Sequence, residues 1–245
     1  MLLLMRSKIY FPILALALLL TSCEGDLFDR VKGTGPVIPE NRYVSSFNNV
    51  SVNLPADVYI SQGDDESVII EAQENVLDVI RTEVRNNELN VKFEKGVIVK
   101  HFEPIKVYIT SSHVNLLQLS GSGNIYNLTP INTNDLDVRI SGSGEIDLMD
   151  IDSPVVHANI SGSGNISFSG YCGDQYHEIS GSGNIYAFQL LSETADIQIN
   201  GSGRSEVTVT DYLDANISGS GNIYYKGNPL INSHISGSGG IYSEP

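Results

Sequence analysis

The chain has 245 residues, room for one or two domains, and a net charge of -15 from 14 Lys and Arg against 29 Asp and Glu. That balance, with no basic cluster to offset it, disfavours nucleic acid and anionic phospholipid as partners. Cys23 and Cys172 are the only cysteines, so once Cys23 is otherwise engaged no intramolecular disulfide can form, and stability has to come from packing.

Residues 1–22 place Arg6 and Lys8 ahead of the apolar run 9–20, which is too short and too near the start for a spanning helix and reads as a secretory signal. Its end, Leu20-Thr21-Ser22-Cys23, resembles a bacterial lipobox, in which the cysteine is diacylated and becomes the new N-terminus. Several acyl chains on one residue hold a protein on a membrane where a single chain does not. Loss of residues 1–22 takes the charge from -15 to -17, because Arg6 and Lys8 are their only charged residues. Residues 23–42, polar and carrying Gly33, Gly35, Pro36 and Pro39, read as the lipidated cysteine and a flexible tether. Glu24, Asp26 and Asp29 resemble the surface-export signals of Bacteroidota lipoproteins. The expected location is the outer membrane, held by the N-terminal lipid, with the cell surface favoured over the periplasmic face.

Residues 43–112 read as an N-terminal β module continuous with the repeats of the second half. Alternating segments cover 50–54, 57–60 and 67–71, with Gly63-Asp64-Asp65 as a turn between the second and third. The segments 80–84 and 89–93 flank Arg85-Asn86-Asn87-Glu88 as a hairpin, and 74–80 is the one stretch that suits a helical turn. A final pair, 97–99 and 105–109, is interrupted by Pro104.

Residues 113–245 repeat. The motif Ser-Gly-Ser-Gly followed by Asn-Ile, or a close variant, begins at Ser120, Ser141, Ser161, Ser180, Asn200, Ser218 and Ser236, with start-to-start spacings of 18 to 21 residues. Such a period predicts an all-β fold, a single-stranded β-helix or solenoid, with right-handed coils as the norm for parallel crossovers. The residue before the motif is always a large aliphatic, from Leu119 to Ile235, and the one before that is always polar. Alternation then points the aliphatic positions inward and Ser and Asn outward. The glycines either point inward, where they leave little volume, or make a corner with positive φ. For the third rung the strands fall at 155–160, at 165–168 and around 171–175. The N-terminal module caps one end. At the other, Glu244 and Pro245 guard the open edge, or a homo-oligomer contact covers it.

The chemistry-bearing residues do not converge. A phosphate loop needs a helix or Gly-Lys after the glycines, and neither is present here. The repeat has the wrong period for calcium nonapeptides and lacks their acidic position. His101, His113, His157, His177 and His234 fall at different phases of the repeat, so no metal column forms. The serines recur as structure, without an elbow or triad partners. Cys172 reads as a buried or rim thiol. No enzyme, cofactor or metal is expected.

One column suits recognition. Tyr126, Tyr186, Tyr224 and Tyr242 face outward beside Asn124, Asn165, Asn184 and Asn222, where rings could stack on sugars while amides supply hydrogen bonds. Cross-coil stacking that merely stabilises the sheet is the competing reading, and Asp147, Ser167 and Glu206 interrupt the column.

The repeated S-G-S-G-N-I units from Ser120 to Ile241, the segments Phe47-Asn48-Asn49-Val50-Ser51-Val52 and Asp57-Val58-Tyr59-Ile60, and the lipoprotein signal together resemble the putative auto-transporter adhesin, head GIN domain family. The resemblance implies a β-helical envelope protein, commonly a Bacteroidota lipoprotein, with adhesion in its name; no catalytic or ligand residue is carried over from it. The unit Asn200-Gly201-Ser202-Gly203-Arg204-Ser205-Glu206 departs most from the pattern. The expected function is therefore non-enzymatic: a structural or adhesion module with a glycan or protein ligand on its wall. A glycan-binding module using the Tyr/Ser/Asn face is the alternative, and a polysaccharide-active enzyme comes last.

Overall fold

The computed structural model describes residues 29–245; the apolar run, Cys23, Glu24 and Asp26 lie outside the described residues. The two aliphatic positions of each repeat build the core. One ladder runs in register through Val91, Val52, Leu119, Ile140, Ile160, Ile179, Ile199, Ile217 and Ile235. Another runs through Val107, Val58, Ile125, Ile146, Ile166, Ile185, Ser205, Ile223 and Ile241. Parallel coils about 4.8 Å apart keep each aliphatic side chain over its equivalent. Burial of each contributes roughly 1.5–3 kcal/mol, except on the last rung, where Ile235 is exposed.

Each coil has three faces. In the strand Glu145–Gly162 the chain leaves the motif over 145–148, kinks at Met149 and at Asp150 (φ 54°), passes 151–153, and returns over 155–162 to the next motif. We call the stretch leading into the motif the first face and the stretch leaving it the second.

The motif glycines settle the open geometry, because the two differ. The first of each pair turns the corner with positive φ, for example 132° at Gly181, and is partly exposed, so it does not point inward. The second is buried: a Cβ at Gly183 would lie 2.5 Å from Ile160 Cγ2 and 2.6 Å from the Gly164 carbonyl oxygen. The corner stays hydrogen-bonded from coil to coil, as where Ser182 N–H donates to the Gly162 carbonyl at 2.9 Å and Asn184 N–H to that of Gly164 at 3.1 Å.

The first β-rich segments are themselves rungs. Asn49–Asn53 and Ala56–Gln62 stack in parallel beneath Leu116–Gly121 and Asn124–Asn127, and on their other side pair with Glu88–Phe93 and Ile105–Ser111. Below these, Ile80–Arg85 and Ser67–Gln73 run antiparallel and close the core. Asn86 and Asn87, both at positive φ, make the hairpin turn. The helix Glu74–Leu77 buries Val76 and Leu77 against this end. Among the described residues no helix is long and apolar enough to cross a membrane.

Residues 29–41 correct the tether reading. Asp29–Lys32 pairs in parallel with Val97–Lys100, and Val37–Asn41 pairs antiparallel with Ser67–Gln73. Both are short, which hides their alternation, and Pro39 is tolerated because its strand pairs on one side only among the described residues. At the far end Leu230–Gly237 and Gly240–Ser243 pair on one side only among the described residues.

Candidate functional site

The second face carries the anticipated tyrosines and asparagines, all pointing outward. Its column reads Tyr126, Asp147, Ser167, Tyr186, Glu206, Tyr224, Tyr242. The rings gather at the two ends. Tyr224 and Tyr242 stack at 5.3 Å, and Arg204 lies 4.1 Å from the Tyr224 centroid. At the other end Tyr126 stacks on Tyr59 at 5.9 Å and Tyr59 on Tyr108 at 5.1 Å. Tyr59 and Tyr108 lie outside the motif repeats, yet Asp57-Val58-Tyr59 and Lys106-Val107-Tyr108 share the phase of Asn124-Ile125-Tyr126 and could have been found by it. Tyr186 stands between Ser167 and Glu206 without a ring neighbour in its column.

The asparagines bond along the solenoid. Asn124 Nδ2 donates to Asp57 Oδ1 at 2.8 Å, Asn184 Nδ2 to Asn165 Oδ1 at 2.8 Å, and Asn222 Oδ1 accepts from Gly240 N–H at 3.1 Å. Glu145 and Arg204 break this ladder.

The first face holds a shallow open groove of about 890 Å³ that the motif pattern does not mark. Its central column is Asp137, His157, Tyr176, Asp196, and the same register continues beyond the groove to Asp214. Beside it run Arg139, Asn159, Glu178, Gln198. The His157 and Tyr176 rings stack at 4.7 Å with planes 16° apart, a ridge with short carboxylates on either side. Asp137 accepts from the Arg139 guanidinium, Glu178 accepts from Asn159 Nδ2 at 2.9 Å, and His157 Nε2 lies 3.9 Å from Asp135 Oδ1. Asp214 accepts from Asn216 Nδ2 at 2.9 Å and Asn232 Nδ2 at 3.1 Å. Asp196 differs: its Oδ1 is shielded from solvent and has no hydrogen-bond partner. Burial, then the neighbouring Asp214 charge, pushes its carboxyl above the ordinary range, partly offset by a bond from Gln198.

The titratable groups inside the coil face no solvent. Cys172 is buried, and desolvation, then Asp174, pushes its thiol up to about 12. Burial pushes His177 down to about 3; its Nδ1 lies 2.8 Å from Ser205 Oγ. Gln175 Nε2 donates to Ser192 Oγ at 2.6 Å. A neutral imidazole and a protonated thiol enclosed among aliphatic ladders are poor nucleophiles or bases. Among the described residues no three His, Cys, Asp or Glu side chains form a group that could hold a metal ion.

The fold is shared with solved structures. A putative adhesin from Bacteroides fragilis is 24% identical, with a TM-score of 0.81, covering 87% of this chain and 100% of its own. A putative lipid binding protein from Parabacteroides distasonis is 26% identical, with a TM-score of 0.77 and coverage of 89% and 100%. A putative adhesin from Parabacteroides merdae is 23% identical, with a TM-score of 0.69 and coverage of 89% and 100%. No curated protein matches the chain significantly. Residues 46–229 match the family described as putative auto-transporter adhesin, head GIN domain, and the chain belongs to that family.

Proposed function

We propose that the protein is a non-enzymatic adhesion module of the cell envelope, anchored by lipid on Cys23 and displayed at the outer-membrane surface, that binds its partner through an outer face of the solenoid. The observation that carries this reading is the groove on the first face, where an exposed ring ridge, amides and a half-buried carboxylate meet. Stacked Ile, Val and Leu fill the interior, so a ligand, including any lipid suggested by the Parabacteroides distasonis neighbour, meets an outer face. The first face is favoured over the second, whose asparagines are already engaged with neighbouring coils.

The test is made on intact cells. Added protease should remove the solenoid from outside, Cys23→Ala should release the protein from the membrane fraction, and deleting the protein should reduce adhesion to the partner surface. Full protection from protease together with unchanged adhesion would refute the proposal.

A further inference from the structure

We infer that the groove on the first face is a subsite for a neutral saccharide, with a pyranose ring lying against Tyr176 and its hydroxyls bonded to Asp196 and Gln198. This rests on the adhesion reading, in that it takes an outer face as the ligand-bearing surface, and it names the chemistry of that ligand.

The column sets the geometry. His157 covers one face of Tyr176 at 4.7 Å, whereas the next coil places Asp196 beneath the other. A short carboxylate under a ring leaves a step, and Tyr176 is 40% exposed there. An aromatic face beside a few convergent polar groups is the usual make-up of a site for a ligand with one apolar and several polar edges.

The polar groups select among ligands. Asp196 is half-buried: its Oδ1 is shielded from solvent and out of a ligand's reach, so a ligand hydroxyl would bond to the other carboxylate oxygen. Gln198, one column over in the same strand, is exposed and keeps a carbonyl and a second amide hydrogen beside its bond to Asp196. The carboxylates Asp135, Asp137, Asp196 and Asp214 repel uronates, sulfates and phosphates. A basic peptide fits less well. Asp137 and Asp214 already accept from Arg139 and from Asn216 and Asn232, and the Arg139 guanidinium stands in the same groove. Donors and acceptors thus alternate around the ridge, which matches hydroxyls that both give and take a hydrogen bond.

The experiment uses the full-length lipidated protein in detergent on an array of neutral hexose and N-acetylhexosamine oligosaccharides, with uronate-bearing and sulfated glycans and a lysine-rich peptide in the same format. Neutral glycans should bind. Tyr176→Ala should abolish the signal, and Asp196→Asn and Gln198→Ala should each weaken it roughly tenfold. Tyr171→Ala, an exposed ring on another face, should change nothing, and unaltered melting temperatures establish that the variants are folded. No neutral glycan bound, binding that survives Tyr176→Ala in a folded protein, or binding of the lysine-rich peptide alone would each overturn the inference. Adhesive cells whose attachment no neutral glycan competes would overturn it while leaving the adhesion reading intact; loss of the adhesion phenotype itself would remove both.

Discussion

His177 Nδ1 and Ser205 Oγ lie 2.8 Å apart inside the solenoid, and each accounts for the other. Ser205 takes the place of an isoleucine between Ile185 and Ile223, and His177 stands where the adjoining coils have Ala158 and Ile197. The most divergent repeat is thus a compensated exchange of two apolar side chains for a hydrogen-bonded pair. One coil earlier the same two positions hold Ala158 and Ile185. A His177→Ala/Ser205→Ile double variant reproduces that pair and should be at least as stable as the parent at neutral pH. Ser205→Ile alone crowds the imidazole and removes its partner, and should cost about 1–3 kcal/mol in thermal or denaturant unfolding.

The same pair sets a pH dependence. Burial holds the His177 imidazole at about 3 in the folded chain against 6.5 ordinarily. Below 6.5 the unfolded chain takes up a proton that the folded chain refuses, so stability is fully present above 6.5 and falls as pH drops toward 3. The double variant lacks this histidine and should show a shallower loss between pH 6.5 and 4 in parallel melts, with other groups supplying the remainder. Equal acid sensitivity of the two proteins would refute the assignment.

Much of the architecture was legible because the repeat is strict. Period-two alternation around a fixed motif determines which residues face inward, and the ladders through Ile140 and Ile146 result directly. What the repeat could not reveal is how its columns meet neighbours of different phase. His177, which leads into one motif, meets Ser205, which leaves the next, across the interior, a pairing that no count from a motif start discloses. Rungs outside the repeat, such as Ala56–Gln62 with Tyr59, carry no Ser-Gly-Ser-Gly to announce them. Their out-of-order stacking, with Asn49–Asn53 between Glu88–Phe93 and Leu116–Gly121, is a long-range pairing that local pattern does not encode.

The two motif glycines should respond differently to a methyl group. Gly183→Ala drives its Cβ against Ile160 Cγ2 and the Gly164 oxygen, and Gly181→Ala drives it against the Gly162 oxygen at a φ of 132°. Both should lower stability, each by about 1–3 kcal/mol. Trimming Ile160 to Ala relieves part of the first clash. No side-chain change relieves the second, since backbone is its sole obstacle. Denaturant midpoints of Gly183→Ala/Ile160→Ala against the two single variants would reveal a favourable coupling at that pair. Strict additivity would argue against the proposed packing.

Cys172 should be chemically silent while the chain is folded. Its side chain is buried and its thiol is pushed up to about 12, so thiolate is scarce at neutral pH and access is blocked. A thiol reagent should modify it slowly in native protein and promptly in denaturant, with the native rate tracking opening of the coil. Rapid modification without unfolding would mean that the rung bearing Cys172 opens locally.

The tyrosines of the second face should separate by their neighbours. Tyr59 lies between Tyr108 at 5.1 Å and Tyr126 at 5.9 Å, so Tyr59→Ala removes two ring contacts. Each such pair contributes about 0.5–1.5 kcal/mol beyond area burial. Tyr186 is 38% exposed and has Ser167 and Glu206 as its cross-coil neighbours, so it has no stack to lose. Tyr59→Ala should therefore lower the unfolding midpoint clearly more than Tyr186→Ala. A Tyr59/Tyr126 double-mutant cycle should return a favourable coupling, and a coupling of zero would mean that the rings are neighbours without energetic consequence.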